Sequence, residues 1–175
     1  MDRRAETARP LDVLCADIVE RYHASLHRSL PRIRDELAAL CASNPSPELS
    51  EVRIAFAHLG DLITRHLAKE EYLLFPALEA LAAANRDNGR RPSTPFVTVL
   101  HPIRVMESEH ARIETAVERL RDLALAVPEP ERVMPGWRRC LAELTELGDQ
   151  LHEHHRSENE ILFPLALEIE RRLVL

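Results

Sequence analysis

The sequence predicts an all-α fold, an up-down-up-down four-helix bundle. Glycine is rare, with 4 in 175 residues, and aromatic residues make up only 4%. Leu, Ala, Glu and Arg dominate, which favours helices, whereas a β-sandwich needs more turn glycines and more β-branched and aromatic residues. Apolar residues recur three and four positions apart in four long stretches, the spacing of one helix face. Short breaks between the stretches favour antiparallel neighbours.

Prolines and small polar residues set the expected helix bounds. Residues 44–47 read Asn-Pro-Ser-Pro, and Ser46 is expected to cap the second helix with Pro47 in its first turn. The stretch 85–95 divides the second helix from the third, and the Pro-Glu-Pro at 128–130 divides the third from the fourth. We therefore expect a single domain over residues 1–175, with helices over 11–43, 47–84, 100–126 and 132–172.

The charge balance is acidic, with 23 Lys and Arg against 29 Asp and Glu and a net charge of −6. This charge opposes binding to nucleic acid and to anionic membranes, so neither is an expected partner. No apolar run approaches the length of a membrane span, and Asp12 and Asp17 interrupt any signal-peptide pattern. Cys15, Cys41 and Cys140 form no CxxC pair, which is typical of reduced cysteines in a cytoplasmic protein.

One helical hairpin occurs twice in the chain. The pattern H-x-x-x-E-x-x-x-L-F-P begins at His66 and again at His154, 88 residues later. A histidine also lies on the first helix of each hairpin, at His23 and His110. The bundle is therefore expected to consist of two similar hairpins related by a pseudo-twofold axis. The prolines that end the two patterns are expected to kink or stop their helices.

Polar residues interrupt the four apolar stripes at positions where core residues are expected. His66 and Glu70 are four positions apart, so they share one helix face, and the second pattern repeats this geometry. In a bundle all these side chains would converge on the core, where an unpaired carboxylate costs several kcal/mol. Metal ligation would satisfy every one of them. The candidate metal ligands are His23, His66, Glu70, His110, His154 and Glu158.

Imidazole and carboxylate ligands without thiolate suit iron, manganese or zinc. Two carboxylates from opposite hairpins could each bridge two ions, which predicts a dinuclear site. The alternative is a metal-free core in which four imidazoles share hydrogen bonds with two carboxylates. One H-x-x-x-E on a helix is usually a solvated pair. Six such residues on four stripes, related by an internal repeat, favour metal binding.

A second ligand scheme uses Glu-x-x-His on two helices and a lone Glu on the other two, as in ferritin-like di-iron proteins. Glu20-x-x-His23 and Glu107-x-x-His110 fit this spacing. The scheme leaves the histidines of the two repeated patterns unused, so we prefer the histidine-rich set and expect Glu20 and Glu107 to orient ligands. His27 is a further candidate for that role. The remaining histidines are expected to face solvent: His58, His101, His152 and His155.

At these residues the chain resembles the hemerythrin-like (HHE cation-binding) superfamily, and within it the di-iron domain of the repair-of-iron-centres proteins. The resemblance covers about residues 12 to 168. It is carried by the H-x-x-x-E-E-x-x-L-F-P string that begins at His66, the M-E-S-E-H string that ends at His110, and the H-x-x-x-E-N-x-x-L-F-P string that begins at His154.

The resemblance implies two non-haem iron ions joined by an oxo or hydroxo bridge, with the four histidines of the candidate set as ligands and Glu70 and Glu158 as bridges. A further histidine of the family falls at Asn44 by spacing. Its absence implies a labile position on one iron, unless His27 or His58 fills it. Repair proteins of this family also carry a cysteine-containing domain ahead of the bundle. Only about 11 residues precede the first helix here, so tasks that need those cysteines are not expected of this chain.

The resemblance favours repair of iron–sulfur clusters, or iron donation to them, under nitrosative or oxidative stress. The alternative is a hemerythrin-like protein that binds or senses oxygen or nitric oxide. A third reading, a redox enzyme that reduces nitric oxide or peroxide, leaves enzymatic activity open. Iron, oxygen, nitric oxide and iron–sulfur proteins are the corresponding candidate partners.

Overall fold

The chain is helical throughout most of its length. The computed structural model describes residues 9–129, 132 and 134–174, and this part of the chain contains no β-strand. The predicted all-α helical bundle is therefore confirmed. The α-helices are α1 (Leu11–Ile18), α2 (Ala24–Ser43), α3 (Pro47–Lys69), α4 (Phe75–Arg86), α5 (Leu100–Ala126), α6 (Pro135–Ser157) and α7 (Phe163–Val174).

Three π-helical turns join these α-helices into four longer bundle helices. The turns are π1 (Val19–His23), π2 (Glu70–Leu74) and π3 (Glu158–Leu162). The bundle helices are, in chain order, α1–π1–α2 over residues 11–43, α3–π2–α4 over 47–86, α5 over 100–126 and α6–π3–α7 over 135–174. The predicted start of the fourth helix at 132 differs from the observed start at Pro135, and residues 130, 131 and 133 lie outside the described part.

The second bundle helix begins as the sequence indicates. The backbone N–H of Leu49 donates to the Oγ of Ser46 at 3.2 Å, and Pro47 occupies the first turn. Ser46 therefore satisfies one of the amide groups that a helix start leaves without a partner. At the other end of this bundle helix, Asn88 has a φ of 47° and the N–H of Gly89 donates to the carbonyl of Ala84 at 2.9 Å. This left-handed residue ends the helix.

Two apolar clusters form the core, and every bundle helix contributes to both. The first apolar cluster includes Ile33, Leu59, Leu120 and Leu147, and the second includes Leu14, Leu78, Ile103 and Ala166. The candidate ligands lie where one cluster gives way to the other; His110, for example, lies between Met106 of the second cluster and Ile113 of the first. A polar layer is thus held between two apolar ones. Within the described residues, no helix combines the length and apolar character needed to cross a bilayer.

The prolines of the two repeated patterns do not stop their helices. Pro76 and Pro164 each lie in the first turn of the α-helix that follows a π-helical turn. The N–H of Phe75 reaches back five residues to the carbonyl of Glu70, and the N–H of Phe163 does the same to Glu158. The wider turn changes the hydrogen-bond register just before a residue that has no N–H to donate, so the helix continues past the proline. Pro31 also lies inside an uninterrupted α2.

Candidate metal centre

The structure brings all six predicted ligands together in the polar layer. Each of the four bundle helices supplies one histidine, and the second and fourth also supply a glutamate. All six residues are at most 2% exposed: His23, His66, Glu70, His110, His154 and Glu158. Their ligand atoms form two groups, which the two glutamates share.

The first group is built around a pair of imidazoles from the first and fourth bundle helices. The Nε2 atoms of His23 and His154 are 3.2 Å apart. The Oε2 of Glu70 lies 3.4 Å from His23 and 3.9 Å from His154. The Oε1 of Glu158 lies 3.3 Å from His154. Two nitrogens and two oxygens thus surround one point.

The second group repeats this arrangement with imidazoles from the second and third bundle helices. The Nε2 atoms of His66 and His110 are 3.1 Å apart. The Oε1 of Glu70 lies 3.3 Å from His66 and 3.9 Å from His110, and the Oε2 of Glu158 lies 3.1 Å from His110. Each carboxylate therefore gives one oxygen to each group, which is the geometry of a bridging ligand.

The separations match a coordination sphere. Ligands about 2.1 Å from a common ion are separated by about 3.0 Å at right angles and about 3.4 Å at tetrahedral angles. The Nε2···Nε2 and most Nε2···O distances fall in this range, with two at 3.9 Å. The residues present therefore fit a pair of ions without a change of helix packing.

The hydrogen bonds of the outer ring nitrogens support the same orientation. The Nδ1 of His23 is 3.0 Å from Glu71, that of His66 is 3.3 Å from Glu109, and that of His110 is 3.0 Å from Asn159. An Nδ1–H that donates outward leaves the Nε2 as a lone pair directed inward, as metal-bound histidines have it.

The carboxylate oxygens complete the test of fit. Both oxygens of Glu70 and both oxygens of Glu158 are buried and have no hydrogen-bond partner among the described residues. A buried carboxylate without a donor is costly, and a cation shared between the two would remove that cost.

Protonation of the cluster shows how strongly the groups interact. Burial lowers the pKa of His66 to about 2, and nearby His110 acts in the same direction. Burial also disfavours the charge on His110, but hydrogen bonds to Glu158 and Glu70 raise the pKa of His110 to about 9. Burial and the charge of Glu158 raise the pKa of Glu70. The cluster thus divides protons unevenly among its members, and a bound divalent cation would displace them.

Aromatic rings of the repeated patterns cover the imidazoles. The Phe75 ring stacks on His23, with centroids 5.6 Å apart, and the Phe163 ring stacks on His110 at 5.9 Å. Each phenylalanine therefore covers the histidine on the first helix of its own hairpin. Tyr22 stacks on His154 at 5.4 Å. These rings fix imidazole planes and keep water from that side of the cluster.

Two acidic residues connect the cluster to the protein surface. Glu71 accepts from His23 and also contacts the Nε2 of exposed His27 at 3.0 Å. Glu109 contacts His66 and forms an ion pair with Lys69. The hydrogen bonds from His27 and His23 outweigh partial burial and lower the pKa of Glu71, which keeps it charged as an acceptor. His27 thus supports the site through Glu71, as expected. The sequence analysis did not assign Glu71, Glu109 or Asn159.

His155 was predicted to face solvent, and this prediction was wrong. The residue is 3% exposed, and its ring stacks on His110 with centroids 4.1 Å apart. The predicted stripe was too narrow: Leu147, Leu151 and His155 are four positions apart, and an apolar stripe of a globular helix spans more than 100°. That spacing was the available signal. The other three histidines of this prediction, His58, His101 and His152, are exposed.

The role expected for Asn44 was also wrong. Asn44 caps the C-terminus of α2, which runs without interruption from Ala24. At 1.5 Å per residue, Asn44 lies about 30 Å along the axis from His23. A histidine at this position could not reach the centre, so its absence leaves no metal position open.

The ferritin-like ligand scheme is not supported. Glu20 and Glu107 are exposed, and among the described residues neither belongs to a group that could hold an ion. Both lie three residues before a buried histidine, but on a helix face that turns away from the core.

All three π-helical turns begin or end at a candidate ligand. The turn π1 ends at His23, π2 begins at Glu70, and π3 begins at Glu158. Such turns occur often at functional sites, because the extra residue changes the direction of nearby side chains. The sequence analysis did not predict them.

Comparison with known proteins agrees with this geometry. The chain matches the hemerythrin HHE cation binding domain over residues 16–92 and 101–173, and it belongs to that family. A cation-binding site is therefore part of this fold, and the two His/Glu groups are able to form it.

Three relatives illustrate the similarity. The chain is 28% identical over 165 residues to the iron-sulfur cluster repair protein DnrN of Neisseria gonorrhoeae, covering 92% of this chain and 94% of DnrN. It is 32% identical over 174 residues to the iron-sulfur cluster repair protein YtfE of Edwardsiella ictaluri, covering 90% and 66%. It is 30% identical over 161 residues to YtfE of Yersinia pseudotuberculosis, with the same coverage. The chain thus spans just under two thirds of the length of these YtfE proteins.

Proposed function

We propose that the cluster holds two iron ions, one in each group of ligand atoms. The ligands are His23 and His154 on one ion and His66 and His110 on the other, with Glu70 and Glu158 as bridges. The observation that carries this proposal is that each carboxylate directs one oxygen to each pair of imidazoles. When bound, such ions supply one-electron redox chemistry and open positions for small molecules.

The two hairpins of the bundle fit this symmetric site. We propose an up-down-up-down order, which is supported by the contacts of α1 with α4 and of α2 with α3. In these contacts the beginning of the first bundle helix packs against the end of the second. The equivalent π-helical turns at Glu70 and Glu158, and the equivalent stacking of Phe75 and Phe163, support a pseudo-twofold relation between the hairpins.

We further propose that the protein acts in the repair of iron–sulfur clusters, or donates iron to them, under nitrosative or oxidative stress. The support is the printed function of its relatives together with the ligand geometry. Three free cysteines, Cys15, Cys41 and Cys140, support a reducing compartment such as the cytoplasm. The protein's own groups hold the ions, orient the imidazoles and exclude water from one side.

Binding or sensing of oxygen or nitric oxide is the second candidate function. An open cleft of about 750 Å³ reaches the centre beside His110 and gives small molecules a route to it. Both functions use the same ligands, so a functional assay has to separate them.

The test begins with metal content. Anaerobic loading with ferrous iron should leave about two equivalents per chain after gel filtration, as expected of a paired site. The loaded protein is then added to an iron–sulfur enzyme whose cluster has been damaged by nitric oxide. Recovery of the enzyme's activity beyond that given by an equal amount of free ferrous iron supports repair.

The matched control is Glu158→Ala, which removes one bridge, and Glu107→Ala, which removes an exposed glutamate on a neighbouring helix. Repair should be lost in the first variant and kept in the second. One tightly held zinc ion and no iron would contradict the metal proposal. A stable, reversible oxygen adduct without repair would favour the second candidate function.

A further inference from the structure

We infer that His155 is an additional metal ligand, a third imidazole for the ion held by His66 and His110. This inference rests on the proposed metal centre and makes its two halves unequal. A ring nitrogen of His155 lies within 4.8 Å of ligand atoms of both His66 and His110. The group formed by His23 and His154 has no corresponding third histidine among the described residues.

The first argument is an unpartnered nitrogen. The side chain of His155 is only 4% exposed, and its Nε2 is buried without a hydrogen-bond partner among the described residues. A buried ring nitrogen of this kind normally finds a donor, an acceptor or a metal. Both nearest imidazoles direct their own Nε2 atoms into the cluster. A cation is the one group that would satisfy all three nitrogens at once.

The second argument is the orientation of the ring. The Nδ1 of His155 lies 2.8 Å from the Oε1 of Glu114, which assigns the proton to Nδ1 and leaves a lone pair on Nε2. His23, His66 and His110 have the same arrangement, each with its Nδ1 held by an acceptor outside the cluster. Carboxylate–histidine pairs of this kind orient metal ligands. Glu114 thus prepares His155 as Glu109 prepares His66.

The third argument is position. His155 and His110 both line the open cleft of about 750 Å³, whose wall also carries Glu107, Glu114 and Glu118. Arg156 is the one Lys or Arg side chain among the residues that line it. An ion held by His66 and His110 is therefore the one nearest to this route, and His155 lies where the ion would enter or leave. A third imidazole here strengthens the hold on the more accessible ion.

The test uses Co²⁺ as a paramagnetic probe of the full chain. An imidazole bound through Nε2 keeps its Nδ1–H, and this proton gives a strongly shifted NMR signal that disappears in D₂O. His155→Phe retains a ring that can stack on His110 but has no nitrogen. We expect this variant to lose one of the shifted exchangeable signals and to bind the weaker Co²⁺ ion at least about tenfold less tightly, as loss of a metal-site partner does.

The matched control is His152→Phe, because His152 is 68% exposed and approaches the same Glu114 at 4.0 Å. This variant should keep every shifted signal and both affinities. His155→Ala with added imidazole should regain tight binding if a ligand has been removed. Far-UV circular dichroism of each variant shows that the bundle is retained.

The outcomes separate this inference from the proposed function. Two bound Co²⁺ ions with an unchanged set of shifted signals in His155→Phe would overturn the assignment of His155 and leave the paired centre intact. Failure of the full chain to bind Co²⁺ or ferrous iron at all would overturn both. Loss of one signal in His155→Phe, with none lost in His152→Phe, establishes the ligand.

Discussion

The ring of Phe163 lies almost parallel to that of His110, with planes 10° apart and centroids 5.9 Å apart. Phe163 comes from the L-F-P part of the second repeated pattern and is 1% exposed. The contact explains why that pattern extends beyond its histidine and glutamate. The phenylalanine fixes the plane of an imidazole on the facing helix.

Replacing this ring should loosen the site more than the fold. Phe163→Leu keeps an apolar side chain and should cost about 1 kcal/mol in unfolding free energy, measured by urea titration. Loss of metal to a chelator should become faster, because the ring no longer restricts His110. Tyr72→Leu, at an exposed tyrosine, is the control and should change neither quantity. An unaltered rate of metal loss in Phe163→Leu would show that stacking does not orient the histidine.

The two bridging glutamates should matter more than any exposed glutamate. Glu70→Ala or Glu158→Ala removes an oxygen from both groups of ligands, so the paired centre should be lost. Metal analysis after anaerobic loading should find one ion or fewer per chain. Glu20→Ala and Glu107→Ala should keep the full metal content, because both residues are exposed. If Glu107→Ala lost an ion while Glu158→Ala did not, the bridging assignment would be wrong.

Metal removal should destabilise the bundle. The buried carboxylates and inward-facing imidazoles lose the cation that satisfies them, and binding to the folded state alone adds about 2.7 kcal/mol at a hundredfold excess over Kd. Thermal unfolding with and without a chelator should therefore differ clearly in midpoint. Equal midpoints at neutral pH would favour the metal-free core.

The metal-free protein should be most stable near pH 6 to 7. Burial lowers the pKa of His66 to about 2 and that of His155 to about 4. The unfolded chain takes up these protons near pH 6.5 and the folded chain does not, so stability falls as the pH drops below about 6.5.

On the alkaline side the sign reverses. Burial works against the charge of His110, but its hydrogen bonds to Glu158 and Glu70 raise its pKa to about 9. The stability from this proton is present below about pH 6.5 and is lost as the pH rises through about 9. Urea unfolding across this range measures the profile. A metal-free protein whose stability rises steadily from pH 6.5 to 9 would contradict it.

Asn44→His should have no effect on metal binding. Asn44 lies at the far end of α2, about 30 Å along the helix from His23, so an imidazole there cannot reach either ion. Metal content and the rate of metal loss should match those of the unaltered chain. Tighter retention of metal in this variant would require a different path for the first bundle helix.

Much of the molecule was predictable because it depends on local spacing. The helical periodicity predicted the four bundle helices, and Ser46 with Pro47 predicted the start of the second one, since a cap needs only its own neighbours. The six candidate ligands were also predictable, because polar residues at core positions need a partner. Their burial follows from the same stripes that bury the leucines around them.

The tertiary structure alone decided how those residues combine. Which histidines pair depends on contacts between helices distant in sequence, such as His23 with His154 across 131 positions. The inward direction of His155 and its hold on Glu114 depend on how α6 packs against α5, which periodicity describes only within about one position. The remoteness of Asn44 depends on α2 continuing straight past Pro31. Local propensity sets which residues face a core, but only packing sets what each of them meets there.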